Sequence, residues 1–97
     1  GSGPAFIAFF IEAMVEGGIK SGLSKENASE LAIQTLIGTA SLLETGMPPE
    51  KLREMVTSPG GTTAAGLKVF EERGFKNIVL SAMDAAVKRA EELGRKV

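Results

Sequence analysis

The feature that most constrains how this chain can fold is a fully apolar run near its beginning. Residues 5 to 11 lie in a predicted helix from Pro4 to about Ser21, since proline is favoured in a first helical turn. A helix without a polar face needs cover on every side, and a chain of 97 residues has little interior to provide it. Because so large an exposed apolar patch is unusual on a soluble monomer, the run predicts a subunit interface.

The rest of the chain predicts four further helices and no strand. Ser24 and Asn77 are typical N-cap residues, and no segment alternates apolar and polar side chains as a half-buried strand would. The fold class is therefore predicted to be all-α, a helical bundle of about five helices. The four further helices are predicted to run from Ser24 to about Thr45, Glu50 to Val56, about Thr63 to Arg73, and Asn77 to about Leu93.

Three features predict specific packing contacts. The second helix carries two adjacent apolar stripes, so it is expected to be buried over more than half of its circumference. Gly17 and Gly18 each cost a helix about 1 kcal/mol relative to alanine, and close approach of another helix would compensate for that cost. Gly74 is placed to end the fourth helix, with Phe75 then contacting Phe70.

The composition excludes several classes of chemistry. The chain has no cysteine and no histidine, and its 11 basic and 12 acidic residues are interspersed. Disulfides, thiolate catalysis and the usual general base are thus absent, and no metal site or nucleic-acid partner is expected because metal-ligand spacing and clustered basic residues are both missing. The apolar run is far too short to span a bilayer, so no membrane partner is expected. The lack of cysteine fits a reducing setting, and a cytoplasmic protein is predicted.

The most constrained turn of the chain is the segment from Thr57 to Thr63. Pro59 fixes its own φ and keeps Ser58 out of the helical region. Gly60 and Gly61 allow a tight turn and a close approach of a ligand to the backbone. The segment is therefore predicted to end at the start of a helix, where free N–H groups and the helix dipole favour an anion.

This turn is the candidate binding site, and its chemistry would be recognition. Backbone N–H groups of Gly60, Gly61 and Thr62 could hold a carboxylate or a phosphate, and the hydroxyls of Ser58 and Thr63 could add further hydrogen bonds. The structural alternative is that Ser58, Thr62 and Thr63 only cap the helix. The residues alone leave both interpretations open.

The sequence from Pro49 to Glu71, PEKLREMVTSPGGTTAAGLKVFE, resembles the signature of the pyrroline-5-carboxylate reductases. The opening residues Gly1 to Phe6 resemble the start of the C-terminal domain of that family, and Gly74, Phe75 and the last helix also fit. The resemblance covers essentially all of residues 1–97, which would form one domain.

The resemblance implies part of an oxidoreductase that reduces 1-pyrroline-5-carboxylate to L-proline with NADPH or NADH. Residues 1–97 would be its C-terminal dimerisation and substrate-binding domain, an interlocked homodimer that can assemble further into a ring of dimers. By position, Ser58, Gly60, Gly61 and Thr62 would hold the substrate carboxylate. Thr63 would be the catalytic contact, with its hydroxyl on the ring nitrogen.

The N-terminal Rossmann domain of such a reductase is not present in this sequence. The chain alone is therefore expected to bind no cofactor and to turn over no substrate. The alternative function is a free-standing all-α dimerisation module in which the Gly60–Gly61 turn is purely structural.

Overall fold

The computed structural model describes residues 1 to 95, which form five α-helices and no strand. The predicted fold class and all five helices are confirmed, with ends that differ by one or two residues. The chain divides into two compact units, Gly1–Leu52 and the residues from Arg53 onward. The helices are α1 (Gly3–Lys20), α2 (Lys25–Glu44), α3 (Pro49–Met55), α4 (Thr62–Glu72) and α5 (Phe75–Arg95).

In the first unit, α1 and α2 meet at a glycine. A Cβ atom placed on Gly18 would lie 2.9 Å from the Cβ atom of Ala28, so the close approach predicted for the glycine pair is confirmed at Gly18. A Cβ atom on Gly17 would have no neighbour within 4 Å, so the same expectation is wrong for Gly17 within this chain. Ala28 and Ala32, one turn apart on α2, are the buried apolar residues of the described part of the chain.

A glycine corner connects α1 to α2. Gly22 has a φ of +110°, and its N–H donates to the carbonyl of Ile19 at 3.0 Å, while the N–H of Leu23 donates to the carbonyl of Gly18 at 3.0 Å. These two bonds form a Schellman motif. Ser24 then caps α2 as predicted, its hydroxyl oxygen accepting the N–H of Asn27 at 3.1 Å.

The expectation that α2 is buried over most of its circumference is wrong for a single chain. Leu31 is 57% exposed and Ile37 is 52% exposed, because α1 is the helix that packs against α2 in this unit and it reaches one stripe. An apolar groove runs beside that contact, with Ile7, Ile11 and Leu36 in its lining. The two helices therefore leave many of their large apolar side chains exposed within one chain.

The second unit is organised by a similar corner between α4 and α5. Gly74 has a φ of +71°, and its N–H donates to the carbonyl of Glu71 at 3.1 Å. The rings of Phe70 and Phe75 lie with their centroids 4.9 Å apart, which confirms the predicted contact across the helix end.

The predicted N-cap of the last helix is wrong. Asn77 lies inside the first turn of α5, which begins at Phe75. The physical reason is that the carbonyl of Gly74 already accepts the N–H of Ile78 at 3.0 Å, which is the first hydrogen bond of the helix. One glycine thus ends α4 and starts α5, and no residue is left to act as a separate cap.

Large apolar side chains are exposed along α1, including Phe9 at 74%. Phe6 and Phe10, on the same predicted interface run, are each 39% exposed. Even so, none of the helices within residues 1 to 95 combines the length and the apolar character that crossing a membrane would require.

A candidate anion-binding turn

The segment that joins α3 to α4 is a proline-glycine β-turn. The N–H of Gly61 donates to the carbonyl of Ser58 at 3.0 Å, with Pro59 and Gly60 as the two central residues. Gly60 has a φ of +71°, which a type II turn requires at its third position and which other residues rarely adopt. The sequence Ser-Pro-Gly-Gly is therefore well suited to this one turn.

The turn delivers the chain directly into α4. Gly61 is the N-cap residue, with extended backbone (φ −87°, ψ −176°) and no side chain to cap the helix. The first helical bond runs from the N–H of Ala65 to the carbonyl of Gly61 at 3.1 Å. Thr62 and Thr63 occupy the first two helical positions, so the alternative that Ser58, Thr62 and Thr63 only cap this helix is wrong.

Three backbone donors stand open at the start of α4. Within residues 1 to 95, the N–H groups of Thr62, Thr63 and Ala64 have no hydrogen-bond partner. An α-helix cannot satisfy these groups itself, and a glycine N-cap offers them no oxygen from a side chain. The N-terminal end of the helix dipole therefore presents free donors where an anion is favoured.

Ser58 lies directly beside this helix start. A Cβ atom placed on Gly61 would be 3.2 Å from the carbonyl oxygen of Ser58 and 3.4 Å from its Cβ atom. The hydroxyls of Ser58 and Thr63 have no partner in the described part of the chain, and both residues are exposed. Glycine at 61 thus leaves room for Ser58 beside the start of the helix.

The backbone N–H groups that are free for a ligand differ from those that the sequence predicted. The N–H of Gly61 is already used by the turn, so Gly61 contributes space instead of a hydrogen bond. The N–H of Gly60 has no partner among the described residues. The N–H group of Ala64 was not predicted, because its alanine side chain carries no polar group. The signal that could have found it is the general rule that the first helical residues have unpaired N–H groups whatever their side chains.

The chemistry available at this turn is that of binding. Among residues 1 to 95 there is no group of three acidic side chains that could hold a metal ion. The hydroxyls and N–H groups of the turn can bind and orient a small anion, and they include no group suited to proton transfer at neutral pH. The site is therefore one of recognition.

Comparison with known proteins assigns the chain to one family. Residues 1 to 95 form helices without a strand, and these helices expose large apolar side chains, which is typical of an interaction surface. The family described as pyrroline-5-carboxylate reductase dimerisation matches residues 1–93. The chain therefore belongs to the dimerisation-domain family of the pyrroline-5-carboxylate reductases.

Individual relatives agree with that assignment. The pyrroline-5-carboxylate reductase of Synechocystis is 48% identical over 99% of this chain and 36% of its own length. The reductase structure from Coxiella burnetii superimposes with a TM-score of 0.91 at 46% identity, over 96% of this chain and 35% of that one. The Plasmodium falciparum reductase, whose structure has NADP bound, gives a TM-score of 0.88 at 38% identity, over 92% and 34%.

This chain spans about a third of the length of the relatives that it matches. Its similarity to named reductases does not favour the alternative of a free-standing dimerisation module.

Proposed function

We propose that residues 1–97 are the C-terminal dimerisation and substrate-binding domain of an enzyme that reduces 1-pyrroline-5-carboxylate to L-proline. The observation that carries the proposal is the open start of α4, where three unpartnered N–H groups directly follow the Ser58–Gly61 turn in a chain of this reductase family. A small cyclic carboxylate has the charge that such a helix start attracts.

In this proposal the substrate carboxylate accepts hydrogen bonds from the N–H groups of Thr62 and Ala64 and from the hydroxyl of Ser58. Gly60 and Gly61 allow the carboxylate to reach the backbone, since neither has a side chain in the way. Thr63, in the second helical position, directs its hydroxyl to the ring nitrogen and is the catalytic contact. Such contacts act by positioning the substrate, and each hydrogen bond to a charged group contributes about 1.5–3 kcal/mol.

In the same proposal, the nucleotide binds outside this chain. Residues 1 to 95 contain no strand and hence no glycine-rich strand-to-helix turn, so they do not fit a dinucleotide site of the Rossmann type. NADPH or NADH would supply the hydride in the whole enzyme, whose cytoplasmic location we also propose. A hydride-transfer assay with this chain alone is expected to show no turnover, and sustained oxidation of NADPH with pyrroline-5-carboxylate would contradict the placement.

The proposed homodimer is supported by the apolar surface that one chain leaves open. Phe9 on α1 and Leu31 and Ile37 on α2 are each more than half exposed, and a second copy packed around both helices, as in an interlocked dimer, would cover them. Sedimentation should give a dimer at micromolar concentration, or a ring of dimers at a larger mass. A folded monomer under those conditions would refute the dimer.

Substrate binding is tested by titrating L-proline into the wild-type chain and into Thr63→Ala while the backbone amide signals are followed by NMR. Shifts are expected at Gly60, Thr62, Thr63 and Ala64, with smaller changes at Gly61, whose N–H is engaged in the turn. Thr63→Ala should bind about tenfold more weakly, since one hydrogen bond is lost. Shifts confined to the α1–α2 unit, or no shift with proline at saturating concentration, would count against this site.

A further inference from the structure

Thr57, the residue before the proposed carboxylate site, differs from the other hydroxyl residues of the turn. It is half-buried, whereas Ser58, Thr62 and Thr63 are exposed. Its hydroxyl donates to the carbonyl of Arg53, four residues earlier. The other three hydroxyls have no partner within residues 1 to 95. Thr57 is thus the hydroxyl that the fold itself uses.

Both donors of Thr57 bind the end of α3. In addition to the hydroxyl bond, its N–H donates to the carbonyl of Glu54 at 3.2 Å. A side-chain hydroxyl bonded to the carbonyl four residues back holds the side chain in one rotamer and attaches the following backbone to the helix end. Thr57 therefore fixes the direction in which the chain leaves α3.

That direction determines where Ser58 points. Pro59 restricts the backbone of Ser58, and the carbonyl of Ser58 is held from the other side by the N–H of Gly61 at 3.0 Å. Hydrogen bonds therefore hold both sides of the Thr57–Ser58 peptide: Thr57 is bonded to the carbonyls of α3, and Ser58 is bonded to the N-cap of α4. Loss of the Thr57 hydroxyl would weaken the attachment to α3 without removing any group that is proposed to contact the ligand.

We propose that Thr57 is a positioning residue for carboxylate binding, acting through Ser58 without touching the ligand. This inference rests on the proposed function of the turn. Thr57→Val keeps the shape and removes the hydroxyl, and Thr57→Ser keeps the hydroxyl. Thr57→Val should weaken L-proline binding about three- to tenfold, the equivalent of one neutral hydrogen bond, and Thr57→Ser should restore affinity to within about twofold.

The readout is the dissociation constant from NMR titration of the full chain, together with the amide shift of Ser58 in the free protein. A general loss of structure would shift amide signals throughout α4 and α5, whereas the proposed role shifts those of residues 58 to 61.

If Ser58→Ala and Thr63→Ala weaken binding but Thr57→Val does not, this inference is wrong and the proposed site stands. If Thr57→Ser fails to restore binding, the hydroxyl is not the responsible group. If none of these substitutions alters binding, the proposed site itself is wrong, and this inference with it.

Discussion

The starts of α2 and α4 differ in whether a side chain accepts one of the unpaired N–H groups of the helix. Each helix follows a turn that contains a glycine with positive φ, Gly22 in one case and Gly60 in the other. At α2, the hydroxyl of Ser24 accepts the N–H of Asn27 at 3.1 Å. At α4, the N-cap is Gly61, which makes no side-chain bond.

The difference separates a structural helix start from one that is available to a ligand. A serine N-cap satisfies one of the open donors from within the chain and stabilises a helix by about 1 kcal/mol relative to alanine. A glycine N-cap leaves those donors to water or to an anion at little cost, because glycine is only a few tenths of a kcal/mol worse than serine. The sequence Ser-Lys-Glu-Asn thus starts a helix that the chain caps itself, and Ser-Pro-Gly-Gly-Thr-Thr starts the helix that we propose as the anion site.

The largest expected effect comes from closing the start of α4 with an internal anion. In Gly61→Asp, the new carboxylate can accept the N–H groups that the ligand would use, once the Ser58 carbonyl yields by a few tenths of an ångström. Loss of two such hydrogen bonds should weaken L-proline binding about 100-fold or more. Ser24→Asp is the matched control, since it also adds a charge at an N-cap and should leave the affinity, measured by titration calorimetry, unchanged. Wild-type affinity in Gly61→Asp would break the comparison.

The next largest effect is expected on stability, at the contact between α1 and α2. Gly18→Ala places a methyl group 2.9 Å from the Ala28 Cβ atom, and neither side chain can move away, so the unfolding free energy should fall by about 1–3 kcal/mol. Gly17→Ala meets no neighbour within 4 Å and should instead gain up to about 1 kcal/mol of helix propensity. Urea denaturation measures both changes. If both variants changed the unfolding free energy in the same direction, Gly18 would not be the residue that sets the distance between the helices.

A smaller effect should follow when the start of α2 is made to resemble that of α4. Ser24→Ala should lower the unfolding free energy by about 1 kcal/mol, whereas Ser24→Gly should lower it by only a few tenths of a kcal/mol. Thermal denaturation followed by circular dichroism can rank the two variants. If alanine and glycine cost the same, the hydroxyl bond to Asn27 is not what stabilises this helix start.

The smallest effect is expected from a change remote from both helix starts. Lys88 and Asp84 form an ion pair of 3.0 Å on α5, with side chains 70% and 62% exposed. Solvent screens such a pair, so Lys88→Ala should alter stability by less than about 0.5 kcal/mol and should leave L-proline affinity unchanged. A larger change would mean that surface substitutions cannot serve as a baseline for the other variants.

Features that depend on a few neighbouring residues could be predicted from the sequence. The Ser24 cap and the contact of Phe70 with Phe75 follow from residue type and spacing within one helix end. The Asn77 cap could not be excluded in that way, because both Gly74 and Asn77 are plausible boundaries. Which one starts α5 depended on whether the chain turned at once after α4, and the φ of Gly74 decided that it did.

The candidate turn shows the same division. Its position, its glycines and the hydroxyls of Ser58 and Thr63 could be read from the sequence. That Gly61 caps α4 and uses its N–H within the turn could not, since this depends on the dihedral angles of the turn. The free N–H groups consequently belong to residues further into the helix than Gly61, including Ala64.

By itself, the sequence determined five helices, an apolar first helix in need of cover and a turn suited to an anion. Those properties arise from hydrogen bonds and side chains within a few positions of one another. Only the tertiary structure distinguished Gly18 from Gly17 and showed that α1 covers a single stripe of α2, around Ala28 and Ala32. The physical reason is that two identical residues differ only in what lies opposite them, and residues distant in the sequence come together only when the helices pack.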